Sequence, residues 1–255
     1  MRRLSFLMVL VGVLAACPTF SLAQSLQGWE QAQVIAAPEA VQAAASNGDD
    51  IYAIAGDKIA KYNRKTGQRV AVSTGPATHL NSGFFHDGKL YCAHSNFPKK
   101  PERSEIKVLD PETMELTEFK NFGETSHGSL TWAVLHEGHW WCTFARYGAD
   151  NSQTALVKYD FEWREVGQWR YPKSVVSDLG RNSISGGLWW KGRLLATGHD
   201  NPVVYVLQLP ETGHVLQHRE TLPVPFTGQG IAADGANDLI GIHRPRKQVL
   251  IAHPQ

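Results

Sequence analysis

The chain has 255 residues, 42% of them hydrophobic, and a formal net charge of +1. This balance excludes a strongly basic nucleic-acid binder and an acidic tail protein, and the apolar share suffices for a packed core. Eight tryptophans suit a β-rich fold whose layers are separated by wide gaps that large aromatics fill.

In chain order, the first feature is a targeting segment. Arg2 and Arg3 precede an apolar run, Leu4 to Ala16, too short to span a bilayer as a mature helix. Pro18 and the small residues of "SLA" predict a signal peptide over 1–23, cleaved after Ala23. This reading is preferred because Pro-Thr-Phe-Ser-Leu-Ala has the length of a cleavage region. The alternative is a lipoprotein signal over 1–16: "LAAC" is a lipobox, with Cys17 as the lipidated first residue and a lipid anchor. Either way a single domain over 24–255 is exported, periplasmic or extracellular, with no transmembrane span.

After residue 24 no helix signature is present. Apolar residues alternate or form short runs between Gly, Asp, Asn and Pro, which is strand patterning. A Gly turn followed by an apolar strand recurs as "HDGKLYCAH" (86–94), "HEGHWWCTF" (136–144), "KGRLLATGH" (191–199) and "DGANDLIGIH" (234–243), with a weaker copy at "SNGDDIYAIA" (46–55). Each copy except the last in the chain, 234–243, leads into a strand, a polar turn and another strand. The turn residues Asn63, Asp110, Asp160 and Pro210 are 47, 50 and 50 residues apart. Each repeat therefore reads as strands A to D of one antiparallel sheet, and five repeats make an all-β, five-bladed β-propeller. The last repeat has no room for strand D. "GWEQAQVIAA" (28–37) lacks a partner, so this N-terminal strand is expected to close the last blade and remove an open sheet edge. A β-sandwich or irregular all-β domain is the rival architecture.

The repeat resembles NHL-type and related short-blade propellers, best in "NSGFFHDGKLYCAHSN…SEIKVLDPETMEL". The resemblance covers most of the mature chain and implies fold rather than activity. "PFTGQGIAADG" (225–235) is faintly similar to the Phe-Thr-Gln-Gly stretch of secreted five-bladed glutaminyl cyclotransferases. The Glu-Ser-Thr-Gly signature of that family is missing, so its active site is not carried over.

In a propeller, the start of strand A and the end of strand B lie on one face. The strand A starts carry His79, Asn81, His127, Ser129, Arg181, Asn182, Ser183 and Gln229. The strand B ends carry His94, Arg146, His199 with Asp200, and His243 with Arg244. These groups are expected around one mouth of the central channel. Arginine with histidine and asparagine suits a small polar or anionic ligand. Several histidines with an aspartate also suit a divalent metal, although HExxH and CxxC are absent, so the cofactor is left open. The alternative is a propeller enzyme, a hydrolase, lyase or cyclotransferase, using His127, His199 or His243 as acid or base with Arg181 as electrostatic support. A third reading is a protein–protein scaffold. The blander reading of each polar residue is that it satisfies backbone groups and ordered water.

His86, His136 and His139 read as solvated turn residues, and the strand tryptophans as core, with Trp132 kept as a ligand contact near the channel. "NFPKKPERSE" (96–105) is a charged loop on the ligand face, a lid or simply solvated. Cys92 and Cys142 hold equivalent strand B positions of neighbouring blades and point the same way, predicting two free, buried thiols. "LYCAHSNFP" (90–98) and "LLATGHDNP" (194–202) look like echoes. Both histidines are expected on one face, with His199 beside Asp200 the stronger candidate for chemistry.

Overall fold

A computed structural model describes residues 27–255, so the expectations for the targeting segment lie outside the described residues. The strands are β1 (Trp29–Ala36), β2 (Ala43–Ser46), β3 (Asp50–Ile54), β4 (Ile59–Asn63), β5 (Arg69–Val72), β6 (Leu80–His86), β7 (Lys89–Ser95), β8 (Arg103–Leu109), β9 (Leu116–Glu124) and β10 (Ser129–His136). They continue as β11 (His139–Ala145), β12 (Ala155–Tyr159), β13 (Glu165–Arg170), β14 (Gly186–Trp190), β15 (Arg193–Thr197), β16 (Val203–Gln208), β17 (Gln217–Pro223), β18 (Ala232–Asp234), β19 (Asp238–His243) and β20 (Gln248–Pro254).

Five four-stranded antiparallel sheets form a five-bladed β-propeller. Blades one to four run β2–β5, β6–β9, β10–β13 and β14–β17 in order. Blade five is β18-β19-β20-β1. The N-terminal strand thus supplies the last strand D, pairing from Trp29 opposite Pro254 to Ala36 opposite Gln248.

Turn chemistry explains the spacing of the repeats. Asn63, Asp110 and Asp160 each accept two backbone N–H bonds from residues just ahead, closing the C–D turns of blades one to three. Aromatic wedges fill the gaps between blades. Trp140, Cys142 and Phe144 pack against Ala93 and Ile106, and Trp132 and Trp141 pack against Leu194 and Tyr205. Trp29 meets Trp190 edge-on at 5.3 Å. Cys92 and Cys142 are free and buried, with burial pushing both thiols well up.

One expectation is corrected. A short helix, α1 (Lys173–Asp178), precedes blade four, with Val175 buried in the gap beside Tyr171 and Leu179. Six residues are too few to display a helical period.

The ring is clasped where blade five meets blade one. Arg64 makes a bidentate contact with Asp234, at 2.7 and 2.6 Å, and the Asp234 side chain is only 2% exposed. Glu39, just after β1, is buried and bonds Tyr62 and Arg69 of blade one. Removing one partner of a buried ion pair leaves the other uncompensated. Asp234→Ala is therefore expected to cost about 2–3 kcal/mol, read as a Tm drop of roughly 5–10 °C. Asp57→Ala, an exposed carboxylate outside the clasp, serves as the comparison.

Candidate functional site

At the strand A starts the channel is nearly closed. A Cβ on Gly230 would lie 2.6 Å from the Ala43 methyl and 3.1 Å from Ser82 Cα, and one on Gly186 only 2.8 Å from Gly230 Cα. Strands of blades four, five, one and two converge there, which glycine alone permits. The Gly230 N–H also bonds Gln42 O of blade one at 2.9 Å.

The preceding turn, Phe226-Thr227-Gly228-Gln229, ties the mouth together. Gly228 and Gln229 both adopt left-handed backbone, at φ 71° and 67°. A Cβ on Gly228 would lie 2.6 Å from Gly198 O and 2.8 Å from His199 O. Thr227 Oγ1 accepts the Arg244 N–H, and the Gln229 N–H donates to Gly198 O. The turn therefore fixes the B–C loops of blades four and five against each other. Gln229 is 4% exposed, and its Nε2 has no hydrogen-bond partner among the described residues.

A polar chain crosses this mouth. Asn182 Nδ2 donates to Asp200 Oδ2 at 3.3 Å. Asp200 Oδ2 lies 2.8 Å from His199 Nδ1, angled so that no hydrogen bond forms. Arg244 Nη1 donates to His199 Nε2 at 3.1 Å. A guanidinium can only donate, so His199 accepts there and carries its proton on Nδ1, facing Asp200. Arg244 makes no ion pair with any described carboxylate. His79 stands beside this chain. Burial first, then the neighbouring His94 and Arg244, holds its pKa below the usual 6.5, so it is neutral at pH 7. Neither of its ring nitrogens has a protein hydrogen bond among the described residues.

The two echoing stretches separate here. His94 lies within β7, opposite Leu80 and Glu105, and is buried. Its Nε2 accepts the Thr78 N–H at 3.0 Å, and its Nδ1 is 2.8 Å from Glu105 Oε1, itself 3.1 Å from Lys107 Nζ. Both nitrogens are engaged in holding the loop that carries His79. His199 lies two residues beyond the end of β15 and is half-buried, and its Nδ1 is buried with no hydrogen-bond partner among the described residues.

Other candidates sit elsewhere. His127 places Nε2 3.1 Å from Glu165 Oε2 and, with Arg146 and Arg170, lines a separate cleft of about 210 Å³. Arg146 also pairs with Glu102 at 3.1 Å. His243 caps the short 3₁₀ turn Arg244–Arg246 by accepting the Arg246 N–H. Arg181 is exposed, with no side-chain bond among the described residues. Asn81 donates to Leu130 O at 2.9 Å, bridging blades two and three. Ser183 and Thr154 share a buried hydroxyl bond at 2.7 Å. Ser129 is buried, with its hydroxyl unpartnered. Trp132 is fully buried in the gap between blades three and four, against Gly187.

His136 is corrected from a solvated turn residue: it stacks on Trp189 at 4.6 Å and 12°. Among the described residues no three His, Cys, Asp or Glu side chains gather as a metal-ligand set. Sequence reading passed over Phe97 and Tyr147, which pack in series on His79 at 5.5 and 4.7 Å. The 96–105 loop thereby acquires an apolar foot beside the mouth. Burial raises the Tyr147 hydroxyl to about 12, helped by Glu102.

No family model and no curated protein matches this chain. Among solved structures, a glutaminyl cyclase of Myxococcus xanthus is similar. It is 11% identical, with a TM-score of 0.61, over 89% of this chain and 96% of that one. The Kuenenia stuttgartiensis hydrazine synthase is 10% identical, with a TM-score of 0.47, over 84% of this chain and 70% of that one. At such identity the cyclase establishes a shared propeller fold and nothing finer.

The brace under His79 carries a pH signature. The hydrogen bond from His94 and then Lys107 hold the Glu105 carboxyl at about 2 against a usual 4.5. A depressed carboxyl stabilises the fold above its unfolded pKa and loses that contribution as pH falls toward its folded one. The Tm gap between wild type and Glu105→Gln is expected to be full above about pH 5 and to close as pH falls toward 2. A gap constant over that window would refute the ionic role of Glu105.

Proposed function

We propose that this protein is an exported propeller that binds a small, polar, anionic molecule at the mouth around Arg244, Gln229, His199 and His79. The observation that carries this is the state of Arg244. Its guanidinium meets an imidazole nitrogen and no described carboxylate, and a guanidinium in that state is a ready bidentate anchor for a carboxylate or phosphate. The buried Gln229 amide nitrogen lacks an acceptor, which a ligand oxygen would supply. Export is supported by the pattern of residues 1–23.

The test is a ligand-observed NMR screen of small carboxylates, sugar acids and phosphate esters against the folded protein. At least one is expected to bind, and Arg244→Ala to weaken it tenfold or more while Tm changes little. Loss of binding through His127→Ala with Arg244→Ala silent would move the site to the outer cleft and overturn the proposal.

A second reading, an enzyme of cyclotransferase type, draws on His79, a neutral imidazole with no protein partner and so available as a base at pH 7. The fold shared with a glutaminyl cyclase makes N-terminal glutaminyl peptides the substrate to try. On this reading wild type releases ammonia from such a peptide, and His79→Ala abolishes turnover without unfolding. No ammonia release from wild type would dismiss it.

A further inference from the structure

The other end of the channel is chemically opposite. Below the convergence at Gly186 and Gly230, the second halves of the innermost strands of blades two to five enclose a cavity of about 70 Å³ toward the A–B turns. Phe84, Leu135, Trp189 and Ala233 are among its walls; the rings of His136 and Trp189 carry its side-chain nitrogens, and the Trp189 indole N–H is buried without a partner among the described residues. We propose that this cavity is a second binding site, which takes the short alkyl end of a small neutral molecule whose polar end rests at the rim.

Three observations support this. First, the cavity lies on the A–B-turn side of the convergence at Gly186 and Gly230, away from the polar mouth. Second, among its side chains only the Trp189 indole N–H and the His136 ring could serve a water. A buried water needs two to four hydrogen bonds. His136 is packed flat on Trp189, and burial holds its pKa below 6.5, so the ring is uncharged at pH 7. Apolar cavities of this kind stay dry and accept apolar groups. Third, polar chemistry returns at the rim, where Glu137 Oε1 lies 3.7 Å from His136 Nε2. A hydroxyl or amide head has acceptors there. The size limits the occupant, since about 70 Å³ accommodates only about three carbons.

The experiment is a titration of the folded protein with linear alkanols from ethanol to 1-hexanol, followed on the methyl resonances of Val134, Leu135, Leu188 and Ile231. Saturable shifts are expected, with affinity rising about fourfold per methylene and levelling off after about three or four carbons. Ala233 is exposed, so Ala233→Phe plugs the cavity without disturbing the core. It is expected to weaken butanol binding at least tenfold and to leave Arg244-dependent binding at the opposite mouth unchanged. Leu135→Phe is a second plug should the first variant fold poorly. Shifts that never saturate, or equal butanol affinity in a folded plugged variant, would overturn the proposal.

Discussion

The turn at residues 226–230 is the constraint on which the rest of the mouth depends. Two successive left-handed residues, Gly228 and Gln229, let the chain lie flat on Gly198 and His199. Gly230 then lets four inner strands approach to contact. The same turn holds Arg244 through Thr227 and leaves the Gln229 amide facing inward without a partner. One five-residue stretch thus meets the backbone requirement and helps position the proposed anchor Arg244.

Closure by the N-terminal strand gives that stretch a rigid frame. Blade five is completed only when β1 pairs with β20, and the Arg64–Asp234 contact then locks it to blade one. The closing strand also sets a direction. Trp29 pairs with Pro254, at the A–B-turn end, whereas Ala36 reaches the end that bears Arg244 and His79.

Much of the architecture was legible because its signals are local. Asp110 and Asp160 mark turns by bonding backbone two to four residues ahead, and the Gly turns recur at a near-constant period. The five blades and the closing strand follow from these signals. The site was legible only as a location. His94 and His199 look alike in sequence, yet one lies within a strand with both nitrogens occupied and the other stands just beyond one. That difference depends on where β7 and β15 end. His127 shares the position of a strand A start but turns to Glu165, a partner 38 residues away. The tilted packing of Phe97 on His79 and of Tyr147 on Phe97 joins residues from two blades, and no periodicity announces it. Gln229 was visible from its Gly-rich setting, whereas the unpartnered state of its amide is a tertiary fact.

The most direct measurement is a crystal structure of the protein soaked with the tightest-binding small carboxylate or phosphate. The account predicts density for one ligand with its acidic group on the Arg244 guanidinium and an oxygen within hydrogen-bond distance of Gln229 Nε2. Density in the cleft beside His127 and Arg170 with the mouth empty, or none at either place at saturating concentration, would contradict it.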